Sequence, residues 1–259
     1  MPLRPSSSEL HDQPRKSHWI AVVLWSLVAA AAYGFYSGRL VIPDRFNPWA
    51  PLDVMATPNP LTPYKLSRTR SDPGQCLAAL AQTGMQYDVL PDRVTAPGCG
   101  FENAVRLTSA GIRIGAPLSL SCPMALSFFM WEKHALQASA QQHFGQRVAA
   151  IDHLGSYACR NVNRGEGAPP DAPGGSRSRH ATANALDIAG FTLENGQKIT
   201  VLKNWPDAAA SSAPSPQARM LTDVHNGACQ FFKGVLGPDY NAVHRDHFHL
   251  ETGGYSMCR

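Results

Sequence analysis

An uncharged apolar run near the N-terminus constrains this chain more than any other feature. Residues 19–36 read WIAVVLWSLVAAAAYGFY, eighteen residues without a charge. As a helix they span ~27 Å, close to the thickness of a bilayer core. Arg4, Arg15 and Lys16 precede the run and only Arg39 follows it closely, so the positive-inside rule predicts a cytoplasmic N-terminus and an exported remainder. A cleaved signal peptide is the alternative, but the run is longer than a usual apolar signal core.

All six cysteines lie on the far side of that run, and none belongs to a C-x-x-C pair. An even number of cysteines in an exported segment predicts three disulfides in an oxidising compartment. We therefore expect a single-pass inner-membrane protein whose C-terminal domain lies in the periplasm. Sequence alone does not choose the connectivity, and the simplest prediction pairs neighbours along the chain: Cys76–Cys99, Cys122–Cys159 and Cys229–Cys258.

Proline density divides the exported part in two. Six prolines fall within residues 38–63, which disfavours regular helix and predicts an extended spacer. The expected organisation is a cytoplasmic N-terminus (residues 1–18), a transmembrane helix (19–36), a Pro-rich spacer (37–63) and one folded domain (64–259).

The folded domain shows both helical and strand patterns, so its predicted class is α+β. Asp72 and Pro73 provide an N-cap and first-turn proline for one helix, which Gly84 is placed to end. Further helices are expected from Ser121 towards Phe144 and over 217–232. Short strand-forming runs are predicted at 104–107, 148–151, 155–159, 185–191, 199–202 and 246–251.

Two long loops separate these elements. Residues 164–179 and 206–219 are rich in small and turn-forming residues, and loops of such length are either disordered or functional rims. The first runs directly into His180, which favours a rim beside a site there.

Four residues form the candidate site: His180, Asp187, His247 and His249. His180 and Asp187 would be ~10.5 Å apart along a helix, too far to share an ion with ligand bonds of ~2 Å, so a shared metal requires a compact turn between them. The segment ATANA permits such a turn. Strand alternation over 246–251 places His247 and His249 on one face. Two histidines and a carboxylate with a free fourth position are typical of catalytic zinc.

The chain resembles the extensin-like family of bacterial envelope proteins. The resemblance is carried by IPDRFNPWAPLD, NPLTPYKL, CGFENAVRL, GSYACR, HATANALDIAGF, LGPDYNAVHRDHFHLE and the final CR. The domain is in turn similar to the LAS metallopeptidases, which include lysostaphin-type, D-Ala-D-Ala and hedgehog-like folds. That resemblance implies a small, mostly antiparallel sheet flanked by helices, with Zn²⁺ on the sheet.

By position, the resemblance implies His180, Asp187 and His249 as zinc ligands. It leaves the general base open between Asp246 and His247. We favour Asp246 slightly, with His247 as a second-shell or transition-state group. Arg160 matches an arginine that steadies substrate in relatives. Before His180 the chain has SRSRH where relatives have S-E-H, and we hypothesise that Arg177 and Arg179 attract a substrate carboxylate.

Two functions follow. The first is a zinc-dependent hydrolase of peptidoglycan peptide bonds, either a carboxypeptidase or an endopeptidase. The second is a non-catalytic envelope module that retains the fold and binds cell wall or a protein partner, because fold does not fix function.

The net charge of +4 arises from scattered residues, without the basic runs or aromatic signatures of a nucleic-acid surface. Peptidoglycan and the inner membrane are therefore the expected partners, and nucleic acid is not.

Overall fold

A computed structural model describes residues 16–162, 175–207 and 213–259. The chain divides into two compact units, Met1–Asn47 and Pro48–Arg259. Residues 1–15, most of the predicted cytoplasmic segment, lie outside the described residues, as do 163–174 and 208–212 of the two predicted loops.

The first unit contains helix α1 (Lys16–Tyr36). Among the described residues, it alone is long and apolar enough to cross a membrane. Its large side chains are mostly exposed, with Trp25 at 73% and Leu27 at 62%. Because leaving such a surface in water costs free energy, this helix is suited to single-pass anchoring.

The second unit is a mixture of helices and small sheets, which confirms the α+β prediction. Side-chain caps fix where two of its helices begin, with Asp72 Oδ1 accepting from Gln75 N at 3.0 Å and Ser121 Oγ accepting from Met124 N at 3.3 Å. The helices are α2 (Thr62–Arg68), α3 (Pro73–Leu80), α4 (Cys122–Trp131), α5 (Gln137–Phe144), α6 (Val201–Asn204) and α7 (Pro216–Ala228). A π-helical stretch, Glu132–Leu136, joins α4 to α5 into the continuous helix predicted from Ser121 to Phe144. The third predicted helix ends at Ala228, earlier than expected.

The sheets are small and almost entirely antiparallel, as predicted. The strands are β1 (Gln86–Leu90), β2 (Arg93–Ala96), β3 (Cys99–Phe101), β4 (Ala104–Ser109), β5 (Leu118–Ser121), β6 (Val148–Gly155), β7 (Ala185–Leu193), β8 (Lys198–Thr200), β9 (Gly234–Leu236), β10 (Phe248–Glu251) and β11 (Met257–Cys258). One sheet has the order β1-β4-β5, a second has the order β11-β9-β10-β7-β6 with β8 also on β7, and β2-β3 form a separate hairpin. Among these strands of the described residues, β11 and β9 alone pair in parallel.

Three strand predictions need correction. The strand predicted over 155–159 does not form, because β6 ends at Gly155, whose φ is 123°, and Ala158 N donates to His180 O at 3.2 Å instead of to a ladder. The run predicted over 199–202 is a strand only to Thr200, after which α6 begins. Strand β10 begins at Phe248, two residues later than predicted.

The boundary between the two units falls inside the predicted spacer. Residues from Pro48 onward belong to the second unit, where Leu52 and Val54 are buried in its core. Arg68 Nη1 donates to Pro48 O at 2.9 Å. This segment is therefore packed although its prolines exclude regular helix.

Helix α4 lies at the centre of the core, and every one of its residues is buried. The ring of Trp131 packs against Phe128, Phe191 and Phe232 at centroid distances of 6.0, 6.2 and 6.4 Å. Its indole Nε1–H donates to Val224 O at 3.1 Å, so its polar atom is satisfied. Burial on all sides agrees with a sequence that is apolar except for Ser127.

Three disulfides hold the second unit: Cys76–Cys122, Cys99–Cys159 and Cys229–Cys258. The Cys229–Cys258 prediction is confirmed, whereas the predicted Cys76–Cys99 and Cys122–Cys159 pairs are wrong. Helices α3 and α4 pack together and bring Cys76 to Cys122. Cys99, on the hairpin, instead meets the segment that follows β6.

Glu132 offers a test of core electrostatics. Its buried carboxylate accepts from Gln137 Nε2 at 2.7 Å. Burial raises its pKa, and the Gln137 hydrogen bond with the charges of Arg147 and Lys133 only partly opposes this. Because the pKa of Glu132 is higher in the folded than in the unfolded chain, its ionised carboxylate lowers the free energy of unfolding at pH values above the folded-state pKa. This loss of stability is absent at pH values below the unfolded-state pKa.

We therefore expect Glu132→Gln to raise the urea midpoint of unfolding at about pH 7 and to leave it nearly unchanged at about pH 4. Glu194→Gln, on an exposed turn, serves as control. A variant that is less stable than wild type at neutral pH would contradict the expectation.

Candidate metal centre

Pairing of two strands brings the candidate ligands together. In the antiparallel ladder between β7 and β10, Asp187 lies directly opposite His249. His180 belongs to a 3-10 turn, Arg179–Thr182, which comes just before β7. The turn ends at Ala183, a non-glycine residue with φ of 54°. This is the compact turn that the spacing of His180 and Asp187 required.

The distances within this cluster suit a single ion. His180 Nε2 lies 3.1 Å from Asp187 Oδ2 and 3.2 Å from His249 Nδ1, and His249 Nδ1 lies 2.8 Å from Asp187 Oδ1. Tetrahedral zinc with bonds of ~2.0 Å has ligand atoms ~3.3 Å apart. All three side chains are largely buried. The donor set thus fits a zinc-sized ion with small adjustments.

The second nitrogen of each histidine is held by a hydrogen bond. His180 Nδ1 lies 3.2 Å from Ser156 O, and His249 Nε2 lies 3.1 Å from Glu251 Oε2. With N–H on those atoms, the lone pairs of His180 Nε2 and His249 Nδ1 both face the cluster. Such outer partners fix the tautomer and raise the basicity of a ligand histidine.

Sequence reasoning missed Glu251. It occupies the same face of β10 as His249, two residues further on, so strand alternation was a signal that could have found it.

The charges of the cluster are strongly coupled. Burial alone would raise the pKa of Asp187, but hydrogen bonds from His180 and His249 outweigh it and hold that pKa far below its usual value. Burial would lower the pKa of His249, but its hydrogen bonds to Asp187 and Glu251 outweigh burial and raise the pKa to about 9. Asp187 is therefore an anion at neutral pH, as a metal ligand must be, whereas His249 would have to give up a proton to a bound metal ion.

His247 lies beside the cluster, and Asp246 contacts His247 on the side away from Asp187. Since β10 begins at Phe248, both precede the strand. His247 Nε2 lies 3.8 Å from Asp187 Oδ1, and its Nδ1 lies 2.9 Å from Asp246 Oδ1. The side chain of Asp246 is 45% exposed. Asp246 therefore meets the cluster only through His247.

His244 is a second residue that sequence reasoning missed. Its ring centroid lies 5.3 Å from that of His247 and 5.8 Å from that of His249. Asn241 Oδ1 lies 2.8 Å from its Nδ1. Burial, helped by the charges of His249 and His247, lowers its pKa to about 4. The spacing H-x-x-H-x-H in the sequence was a signal for it.

The three predicted substrate arginines differ in their surroundings. Arg160 donates from Nη1 to Asn161 O at 3.4 Å, and its charge contributes slightly to lowering the pKa of His244. Arg177 donates from Nε to Pro97 O at 3.0 Å and from Nη1 to Asn161 Oδ1 at 3.2 Å, so it ties the β2-β3 hairpin to a neighbouring loop. Arg179 lies over Gly253 and Gly254, at the end of β10.

Comparison with known proteins gives one match. A family model described as Extensin-like protein C-terminus matches residues 74–259. No curated protein and no solved structure matches the chain.

The position of Glu251 depends on a neighbouring glycine. A Cβ on Gly234 of β9 would lie 2.4 Å from Glu251 Cγ, so Gly234→Ala must displace the carboxylate from His249. We expect Glu251→Ala and Gly234→Ala each to weaken zinc binding about 10–100-fold, measured by competition with a chelator. The control Glu194→Ala removes an exposed carboxylate elsewhere. Unchanged zinc affinity in both variants would rule out a role for Glu251 at the centre.

Proposed function

The chain belongs to the extensin-like protein C-terminus family, and we propose that it is a zinc-dependent hydrolase of peptidoglycan peptide bonds. The observation that carries this proposal is the cluster of His180, Asp187 and His249, whose ligand atoms all lie within 4.8 Å of one another. Support for zinc comes from the donor set, two imidazoles and one carboxylate, which leaves a fourth position for water.

A kinship with the LAS metallopeptidases is part of the proposal. It is supported by the sequence H-x6-D and a later ligand histidine, and by the arrangement of the three residues on one turn and two adjacent antiparallel strands. The small, mostly antiparallel sheet agrees with it.

The protein's own groups supply the rest of the chemistry. A zinc ion bound at the cluster would polarise a scissile carbonyl and lower the pKa of its water towards ~7. We assign His247 as proton acceptor, because its Nε2 faces the cluster while Asp246 accepts a hydrogen bond from Nδ1–H at 2.9 Å. That hydrogen bond keeps Nε2 free to take a proton. Arg160 is assigned to a substrate carboxylate.

The proposed location is supported by helix α1 and by the three disulfides. Helix α1 anchors the protein in the inner membrane with its N-terminus in the cytoplasm, and the three disulfides form in the oxidising periplasm. There the domain meets peptidoglycan. Both a carboxypeptidase and an endopeptidase would use this zinc chemistry.

The metal is tested first. We expect the full chain, purified in detergent without chelator, to contain near-stoichiometric zinc and to cleave muropeptides. His249→Ala should lose both, because it removes one of three ligands, while His143→Ala, whose ring pairs with Asp223 outside the cluster, should lose neither. Metal content by mass spectrometry and muropeptide chromatography measure these outcomes.

Two results would contradict the hydrolase. A folded protein without zinc, even after zinc is supplied, would exclude the proposed chemistry. Zinc without turnover on any muropeptide would leave the non-catalytic wall-binding module as the better account.

The proton acceptor is tested next. We expect His247→Gln to lower kcat about 10²–10⁴-fold with zinc content unchanged. Asp246→Asn should lower kcat less, because it removes only the group that orients His247. A larger loss of kcat in Asp246→Asn than in His247→Gln would reverse this assignment and make Asp246 the base.

A further inference from the structure

The second unit contains a groove of about 570 Å³. Its walls are the β2-β3 hairpin, the first residues of α3 and α4, the His180 turn and the chain after β10. A volume in the range of about 300–1,000 Å³ holds ligands as large as drugs or short peptides, far larger than a lone inorganic anion.

The groove is lined by three arginines, Arg70, Arg93 and Arg179, and by one acidic residue, Glu102. Within the described part of the chain, none of the three arginines forms a salt bridge with a carboxylate. The lining of the groove therefore carries an excess of positive charge for which the described residues provide no ion-pair partner.

Arg70 is the least solvated of these cations. Its Nε is buried and has no hydrogen-bond partner among the described residues, and burial lowers the pKa of its guanidinium. A cation held partly out of water without an anion costs free energy. A ligand carboxylate in the groove would offset that cost through charge-assisted hydrogen bonds.

Arg93 is held in place by aromatic contacts. Its guanidinium lies over the ring of Phe101 at 5.6 Å, and Phe101 packs on Tyr157 at 4.5 Å. The two strands of the hairpin lie close together at Gly100, where a Cβ would lie 2.2 Å from Arg93 O. The Cys99–Cys159 disulfide fixes the same hairpin to the segment that follows β6.

The groove and the metal centre share structural elements. Arg179 and Thr182 line the groove from the turn that carries His180. Thr252 and Gly253 line it directly after Glu251, which holds His249. The groove therefore borders two segments that carry a ligand or its support, although none of the three ligand side chains lines it.

We propose that this groove binds an extended peptide bearing carboxylates, with Arg70 and Arg93 as the partners of those carboxylates. The inference rests on the proposed function, since it names how the substrate is held. Peptide is favoured over a single small anion because the arginines come from separate elements and the apolar Val94 and Pro123 also line the groove.

The test is fluorescence anisotropy with the full chain in detergent. The probe is a labelled stem tetrapeptide, L-Ala-γ-D-Glu-diaminopimelate-D-Ala, and its twin has every carboxylate amidated. Binding is measured in the His249→Ala background, so that neither turnover nor a zinc–carboxylate bond contributes. Arg70→Gln and Arg93→Gln remove groove charges, and the control Arg106→Gln removes an exposed arginine of β4 outside the groove.

We expect the acidic probe to bind roughly tenfold more tightly than its amidated twin, and each groove substitution to remove most of that preference. Arg106→Gln should keep the preference. Arg93 is exposed, so its variant remains informative if Arg70→Gln fails to fold.

Equal binding of the two probes, or an equal loss in Arg106→Gln, would overturn the groove inference. Failure of the proposed function is recognised separately. If the wild-type protein has neither zinc nor turnover but still prefers the acidic probe, the groove inference stands and the hydrolase proposal fails. If it has zinc and turnover but lacks this preference, the hydrolase proposal stands and the groove inference fails.

Discussion

The pairing of β7 with β10 is the constraint on which the rest of the site depends. Asp187 meets His249 because these two residues are opposite each other in the ladder. Side chains alternate between the faces of a sheet, so a slip of one residue in register would move one ligand to the opposite face. Apolar neighbours guard against this slip, since Leu186, Ile188, Phe248 and Leu250 are all fully buried on the other face. The packing of the core thereby sets the geometry of the cluster.

The Cys99–Cys159 disulfide restrains the β2-β3 hairpin, which forms one wall of the groove. It joins the hairpin that carries Arg93 to the segment that supplies Ser156, the acceptor for His180. A single covalent link thus relates the position of a groove residue to the support of a ligand histidine. Arg177 reinforces the link through Pro97 and Asn161. The two walls of the site are therefore supported from the same short stretch of chain.

Local signals were readable from the sequence, whereas most non-local contacts, the Cys229–Cys258 pair apart, were not. The caps at Asp72 and Ser121, the compact turn between His180 and Asp187 and the apolar N-terminal run all depend on neighbouring residues, and each was predicted. The partners of Cys76 and Cys99 depend on how α3, α4 and the hairpin pack, which no spacing encodes. Short strands such as β9 and β11 are defined by pairing and were missed. Arg70 and Arg93 became visible as groove residues only once distant segments were adjacent.

The cluster is already closed by its own hydrogen bonds. Both oxygens of Asp187 have imidazole partners, and the fold beneath it rests on an apolar core and three disulfides. Proteins whose metal supplies the folding free energy unfold when it is chelated. The buried apolar core and the three disulfides are formed by residues other than the proposed ligands, so the proposed zinc need not supply the folding free energy of this domain. If zinc binds as proposed, it could leave and return to a folded chain, and the supply of metal would then control the protein reversibly.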